Sequence, residues 1–149
     1  MQCGELEFPK PPEWEWVKPA VAFRTLQYRV PHAAGDGELI VSAFAIGDGG
    51  GVQANIDRWQ KQFQGADGMA VEVTKSERTV AGIQVTRADC AGLFLGMGME
   101  KGKPGMAQLG AIVQGPQQMI FIRLIGPQAT VDAWRSAFER MIDGLVVEK

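Results

Sequence analysis

The chain has 149 residues, enough for one domain that buries roughly 70% of the surface its unfolded form exposes. Hydrophobic residues at 46% and charged residues at 21% exclude a disordered chain. A net charge of −2, with the basic residues scattered along the sequence, argues against a nucleic-acid partner, whose phosphates demand clustered positive charge. No apolar run approaches the roughly 20 residues that span a bilayer.

Residues 1–19 read as a Pro/Trp-rich arm, followed by a single α+β domain over 20–149. The segment ELEFPKPPEWEWVKP holds four prolines, which bias the backbone toward extended or polyproline forms without ladder bonds. Trp14 and Trp16 are too apolar to stand wholly in water, so the arm is expected to drape along the domain with at least one indole docked. As a recognition segment it would offer both indoles to a partner. Cys3 and Cys90 are too few for a disulfide framework and lack metal or redox spacing. Cys3 reads either as a free surface cysteine in a frayed terminus or, followed by Gly4 and the Pro-rich stretch, as resembling the lipidated end of a bacterial lipoprotein. On that reading residues 4–13 form an exposed spacer between membrane and domain.

Within the domain, Val21–Val30 is rich in β-branched and aromatic residues and reads as the first strand, ended by Pro31. Glu38–Ile46 is apolar on both faces, as a central strand should be. After GDGGG, Val52, Ile56, Trp59 and Phe63 recur at helical steps, with Gly65 placed to close the helix. Met69–Arg78 and Thr79–Ala88 alternate more weakly and suit strands nearer an edge. Gly92–Leu95 is a short strand candidate, and Gly96–Gly105 a loop. Ala107–Val113 and Met119–Gly126 form an apolar hairpin turning at Gly115–Gln118. The last helix carries Val131, Trp134, Phe138, Met141 and Leu145 on one stripe, with Thr130 as N-cap and Gly144 as C-cap. The order ββαββ(β)ββα, with short connections, predicts a mainly antiparallel sheet of six to seven strands with two packed helices.

That order resembles the Mog1/PsbP-like fold. NIDRWQKQF (Asn55–Phe63), GAIVQG (Gly110–Gly115) and FIRLIGPQATV (Phe121–Val131) are similar to segments of uncharacterised bacterial proteins, often exported or lipoprotein in type. The resemblance covers residues 16–145. It implies the fold and a cell-envelope location, and transfers no catalytic residue.

The chemistry-bearing residues form no complete constellation. GDGGG at Gly47–Gly51 lacks the third glycine of a dinucleotide fingerprint and the GK[ST] of a phosphate loop. The one histidine, His32, lies roughly 25 Å from Asp48 along the intervening strand, too far for a base and its orienter; Asp36 is closer. Met97, Met99 and Met106 in the Gly-rich loop read first as gap-filling side chains that cap a loose lobe, with soft thioether ligation of Cu(I) and an adaptable apolar surface as the alternatives. Arg123, between Phe121 and Ile125 on a central strand, is expected to pair with a carboxylate at the sheet rim or to reach water; an arginine that holds a ligand is the alternative. The reading is a non-catalytic binding or protein-interaction domain of the bacterial cell envelope, with no cofactor. Trp14, Trp16, Met97, Met99 and Met106 are its candidate contacts, and Cys3 is a candidate lipidation site tethering it to the membrane. The alternatives are a small carboxylate-based enzyme and a weak Cu(I)- or ligand-binding protein.

Overall fold

In the computed structural model, residues 1–19, 21–96 and 102–148 are described. The two most apolar runs form strands β9 (Lys103–Gln114) and β10 (Gln118–Pro127), paired antiparallel with Val113 opposite Ile120 and Leu109 opposite Leu124. Their turn closes through Gly115 N–H donating to the Gln118 carbonyl at 2.9 Å. This is the hairpin expected from the Gly-Pro turn. Helix α2 (Gln128–Asp143) follows and packs on β9 and β10. Opposed residues share a face in an antiparallel sheet, so Leu39, Val41, Leu109, Ala111, Val113, Ile120, Ile122 and Leu124 form one fully buried layer. That layer meets Val131, Phe138 and Met141 of α2.

Among the described residues the main sheet has eight strands. They run in the order β3 (Glu15–Trp16), β4 (Leu26–Val30), β5 (Gly37–Ala45), β10, β9, β8 (Ile83–Phe94), β6 (Phe63–Gln64), with β7 (Thr74–Val80) also paired to β8. Every pairing is antiparallel. The (β) of the expected order is the far end of β8, which continues to Phe94 past an irregularity between Gly92 and Phe94.

Several boundaries differ from expectation, each for a local reason. The first strand begins at Leu26, because Val21–Arg24 closes a turn through the Arg24 N–H and the Val21 carbonyl at 3.2 Å. Ala81 and Gly82 form the two-residue connection between β7 and β8, at φ of 52° and 79°. Such a primed turn needs positive φ at both positions, so Gly82 helps make the hairpin turn inside the stretch read from sequence as the strand Thr79–Ala88. Helix α1 spans Val52–Lys61 and ends on Gln62; Gly65 does not close it, and Phe63 leaves the helix to pair with Phe94. β9 starts at Lys103, inside the expected loop. The α2 N-cap is Pro127, and Thr130 is buried inside the helix, its hydroxyl donating to the Gly35 carbonyl at 2.5 Å.

The N-terminal segment departs most from the exposed spacer. Strands β1 (Gln2–Cys3) and β2 (Leu6–Glu7) form a hairpin at Gly4, and β11 (Val146–Val147) pairs with β2 to make a second, three-stranded sheet. Leu6 and Phe8 are fully buried in the main core, joined by Cys3 and Trp14. Alternate residues of a short strand can face the core whatever the flanking prolines do. The apolar side chains of ELEF use that freedom.

Candidate functional site

The two faces of the main sheet are covered unequally. On the face opposite α2, helix α1 seats Trp59 directly over Gly110, where an added Cβ would lie 2.7 Å from the indole. Ile56, Trp59, Ala88, Ile112 and Phe121 form the cluster under the helix, with Trp59 and Phe121 edge to face at 6.4 Å. Ile40, Phe63, Val71 and Ile125 form a second cluster further along. Between the two, over β10 and β5, no helix lies on the sheet among the described residues. The result is a hollow of about 280 Å³ lined by Phe23, Arg24, Ile40, Ser42, Phe44, Arg58, Trp59, Gln62, Phe121 and Arg123. It adjoins a wider trough of about 570 Å³, with Arg24, Ile40, Gln62 and Arg123 common to both.

Each arginine reaches the hollow from a different element. Arg24 is carried by the turn before β4, beside the half-exposed Phe23. Arg58 projects from α1 one residue before Trp59, and Arg123 rises from the floor on β10. Their hydrogen-bond partners are neutral amides. Arg24 donates to Gln27 Oε1 at 3.1 Å, and Arg58 donates to Asn55 Oδ1. Arg123 donates through Nε and Nη2 to Gln108 Oε1 at 2.9 and 2.6 Å, and through Nη2 also to Gln62 Oε1. Its guanidinium lies against the Trp59 ring, 5.2 Å from the centroid.

Of the eight arginines in the sequence, Arg29, Arg78, Arg87 and Arg135 lie within 4 Å of a carboxylate. Three of the other four converge on this one hollow. Burial pulls Arg123 down to about 9, and the charges of Arg58 and Arg24 push the same way, opposed by the Cys90 thiol. The carboxylate partner expected for Arg123 is not present among the described residues. A guanidinium has only donors, so Gln108 must turn its oxygen toward Arg123. Its Nε2, buried, is left without a partner.

Other sequence-derived candidates lie elsewhere. Trp14 is buried and meets Trp134 edge to face at 5.7 Å, which makes it a core residue. Trp16 stands 58% exposed on the edge strand β3. Met106 is half-buried on the wall of the wider trough, while Met97 and Met99 lie outside the described residues. Cys3 is buried, and burial raises its thiol pKa; a lipid there would need the N-terminal hairpin to unpack. His32 Nδ1 accepts the Ala34 N–H at 3.0 Å, and Asp36 is held by Arg29 at 2.9 Å and kept more acidic by it. That arrangement leaves no imidazole–carboxylate couple. Among the described residues no three His, Cys, Asp or Glu side chains group as a metal site, and no helix is long and apolar enough to cross a membrane.

Sequence reasoning missed Arg24 and Arg58. The available signal was weak: an arginine next to an aromatic in FR at Phe23–Arg24 and in RW at Arg58–Trp59, and two residues after one in FIR at Phe121–Arg123.

No protein-family model matches this chain, and no curated protein does. Among solved structures it is similar to PA94 of Pseudomonas aeruginosa, a protein of unknown function described as a candidate regulator. The TM-score is 0.62 at 12% identity, over 92% of this chain and 99% of that one. It is also similar to the cyanobacterial PsbP, CyanoP, of Synechocystis sp. PCC 6803, with a TM-score of 0.61 at 15% identity, over 96% and 86%. The fold is therefore PsbP-like.

Proposed function

We propose that this chain is a non-catalytic binding domain that takes a small molecule into the hollow beside α1. The observation that carries the reading is the half-covered sheet face, where aromatic walls enclose a concave space next to a packed core. Preformed apolar concavities with a few converging polar groups are the usual form of ligand sites. The hollow itself is lined by no histidine, aspartate, glutamate, cysteine or lysine. Among the described residues its only ionisable groups are arginines, which are protonated at neutral pH, Arg123 at about 9 included, and act there as donors and not as general bases. Binding is the activity these side chains support.

N-phenyl-1-naphthylamine, a neutral probe that fluoresces in apolar surroundings, tests this directly. It should bind with micromolar affinity and quench Trp59, and Phe44→Asp should weaken it at least tenfold without unfolding the protein. Absence of saturable binding, or binding indifferent to Phe44→Asp, would count against the reading.

The cell-envelope location implied by the sequence resemblance belongs to the same proposal, without a lipid at Cys3, whose side chain the fold uses in its core. Fractionation of native cells would test it, with the protein in a purely cytoplasmic fraction as the contrary result.

A further inference from the structure

We propose that the hollow selects amphipathic anions: molecules with a flat apolar body and a single carboxylate, sulfonate or phosphate head, the head held by Arg123 with Arg24 and Arg58. This inference rests on the binding role proposed above and names the ligand class.

Three cations share one concave space, and no acidic side chain among the described residues lies within 4 Å of any of them. The chain as a whole is net negative, so this concentration of positive charge is not a general surface property. Outside the hollow, four of the five arginines have a carboxylate within 4 Å. Arg87, with its side chain only 4% exposed, has Asp89 at 3.0 Å and Glu139 at 3.8 Å. A buried cation satisfied only by amide oxygens keeps much of its desolvation cost, and like-charged neighbours add to it. An incoming oxyanion removes both penalties at once: the glutamines occupy Nε and Nη2 of Arg123, which leaves its Nη1, together with the guanidinium groups of Arg24 and Arg58, to hold the head through charge-assisted hydrogen bonds.

The apolar part of the ligand follows from the walls. Phe23, Phe44, Trp59 and Phe121 line the same hollow as Ile40 and Arg123, so a flat apolar body seated there would lie against aromatic rings with a guanidinium beside it. Phe23, 50% exposed, would be covered by such a body. A free inorganic anion would leave these rings as they are.

The test compares two probes with one ring skeleton. 1-Anilinonaphthalene-8-sulfonate differs from N-phenyl-1-naphthylamine by its sulfonate, so the ratio of their affinities reads the contribution of the charge. The sulfonate should bind at least tenfold more tightly at low ionic strength. Arg58→Gln and Arg24→Gln, on exposed or half-buried stems, should each reduce that ratio several-fold. Arg123→Gln should bring it close to one. 1-Naphthoate should displace the sulfonate at concentrations where inorganic phosphate does not. Binding of neither probe would overturn the binding role itself. Equal binding of both, or a ratio unchanged in all three variants, would overturn the anion selectivity and leave the binding role standing. Displacement by phosphate as effective as by naphthoate would overturn the apolar half of the ligand class.

Discussion

Gly110 shows how closely one residue governs the site. Its missing side chain lets Trp59 lie on the sheet, and a Cβ there would come within 2.6 Å of the Ala88 carbonyl and 2.7 Å of the indole. Gly110→Ala should therefore destabilise the fold by about 1–3 kcal/mol, the usual range for overpacking. It should also tilt Trp59 and change its fluorescence. A urea midpoint equal to wild type would show that the helix rides over the sheet more loosely than this geometry requires. Cys90 makes a different prediction. Burial, with Asp89 adding and Arg123 opposing, raises its thiol to about 11. At pH 8 about one thiol in a thousand would be ionised, so alkylation should be far slower than for a free cysteine. Because the folded pKa lies above the unfolded value near 8.5, folding favours the protonated form. The associated stability is complete below about pH 8.5 and is lost as pH rises through 11. Cys90→Ser should flatten that alkaline decline, and identical pH profiles for the two proteins would refute the assignment.

At the scale of elements, the N-terminal hairpin is part of the core. Phe8 is fully buried with Leu6 and Trp14, so Phe8→Ala should cost about 3–5 kcal/mol. Proteolysis before residue 9 should be slow in the native protein; an unfolding midpoint that hardly moves, with rapid cleavage, would restore the exposed spacer. The difference from the sequence reading has a clear physical origin. Prolines report on backbone hydrogen bonding, and they rightly exclude a long strand over residues 9–12. They say nothing about whether Leu6 and Phe8, just before them, find a surface to cover. By contrast, the 107–126 hairpin and the α2 stripe were legible because period-two and period-3.6 patterns decide which face is buried without reference to any distant contact. Phe63 kept the helical spacing of Val52, Ile56 and Trp59 and still left the helix, since pairing with Phe94 buries it equally well.

Across the whole molecule, the binding hollow was the least legible feature because three arginines from a turn, a helix and a strand meet only once the sheet is assembled. The sequence pointed to Arg123 as an anomaly and expected a rim carboxylate or water to resolve it, with a ligand as the alternative; the fold surrounds it with Gln62, Gln108, Arg24 and Arg58. Such an arrangement predicts a trade of stability for function in the ligand-free protein. Arg24→Gln together with Arg58→Gln removes like charge from around Arg123 while leaving the Arg123–glutamine hydrogen bonds intact. The double variant should be more stable than wild type at low salt, by roughly 0.3–1 kcal/mol, the scale of partly exposed charge interactions. The gain should shrink in 0.5 M sodium chloride, where screening acts over about 4–5 Å. Urea unfolding at the two salt concentrations measures both effects. A double variant less stable than wild type at low salt, or a gain that salt does not change, would mean that packing of the arginine stems, and not their charge, governs this face of the sheet.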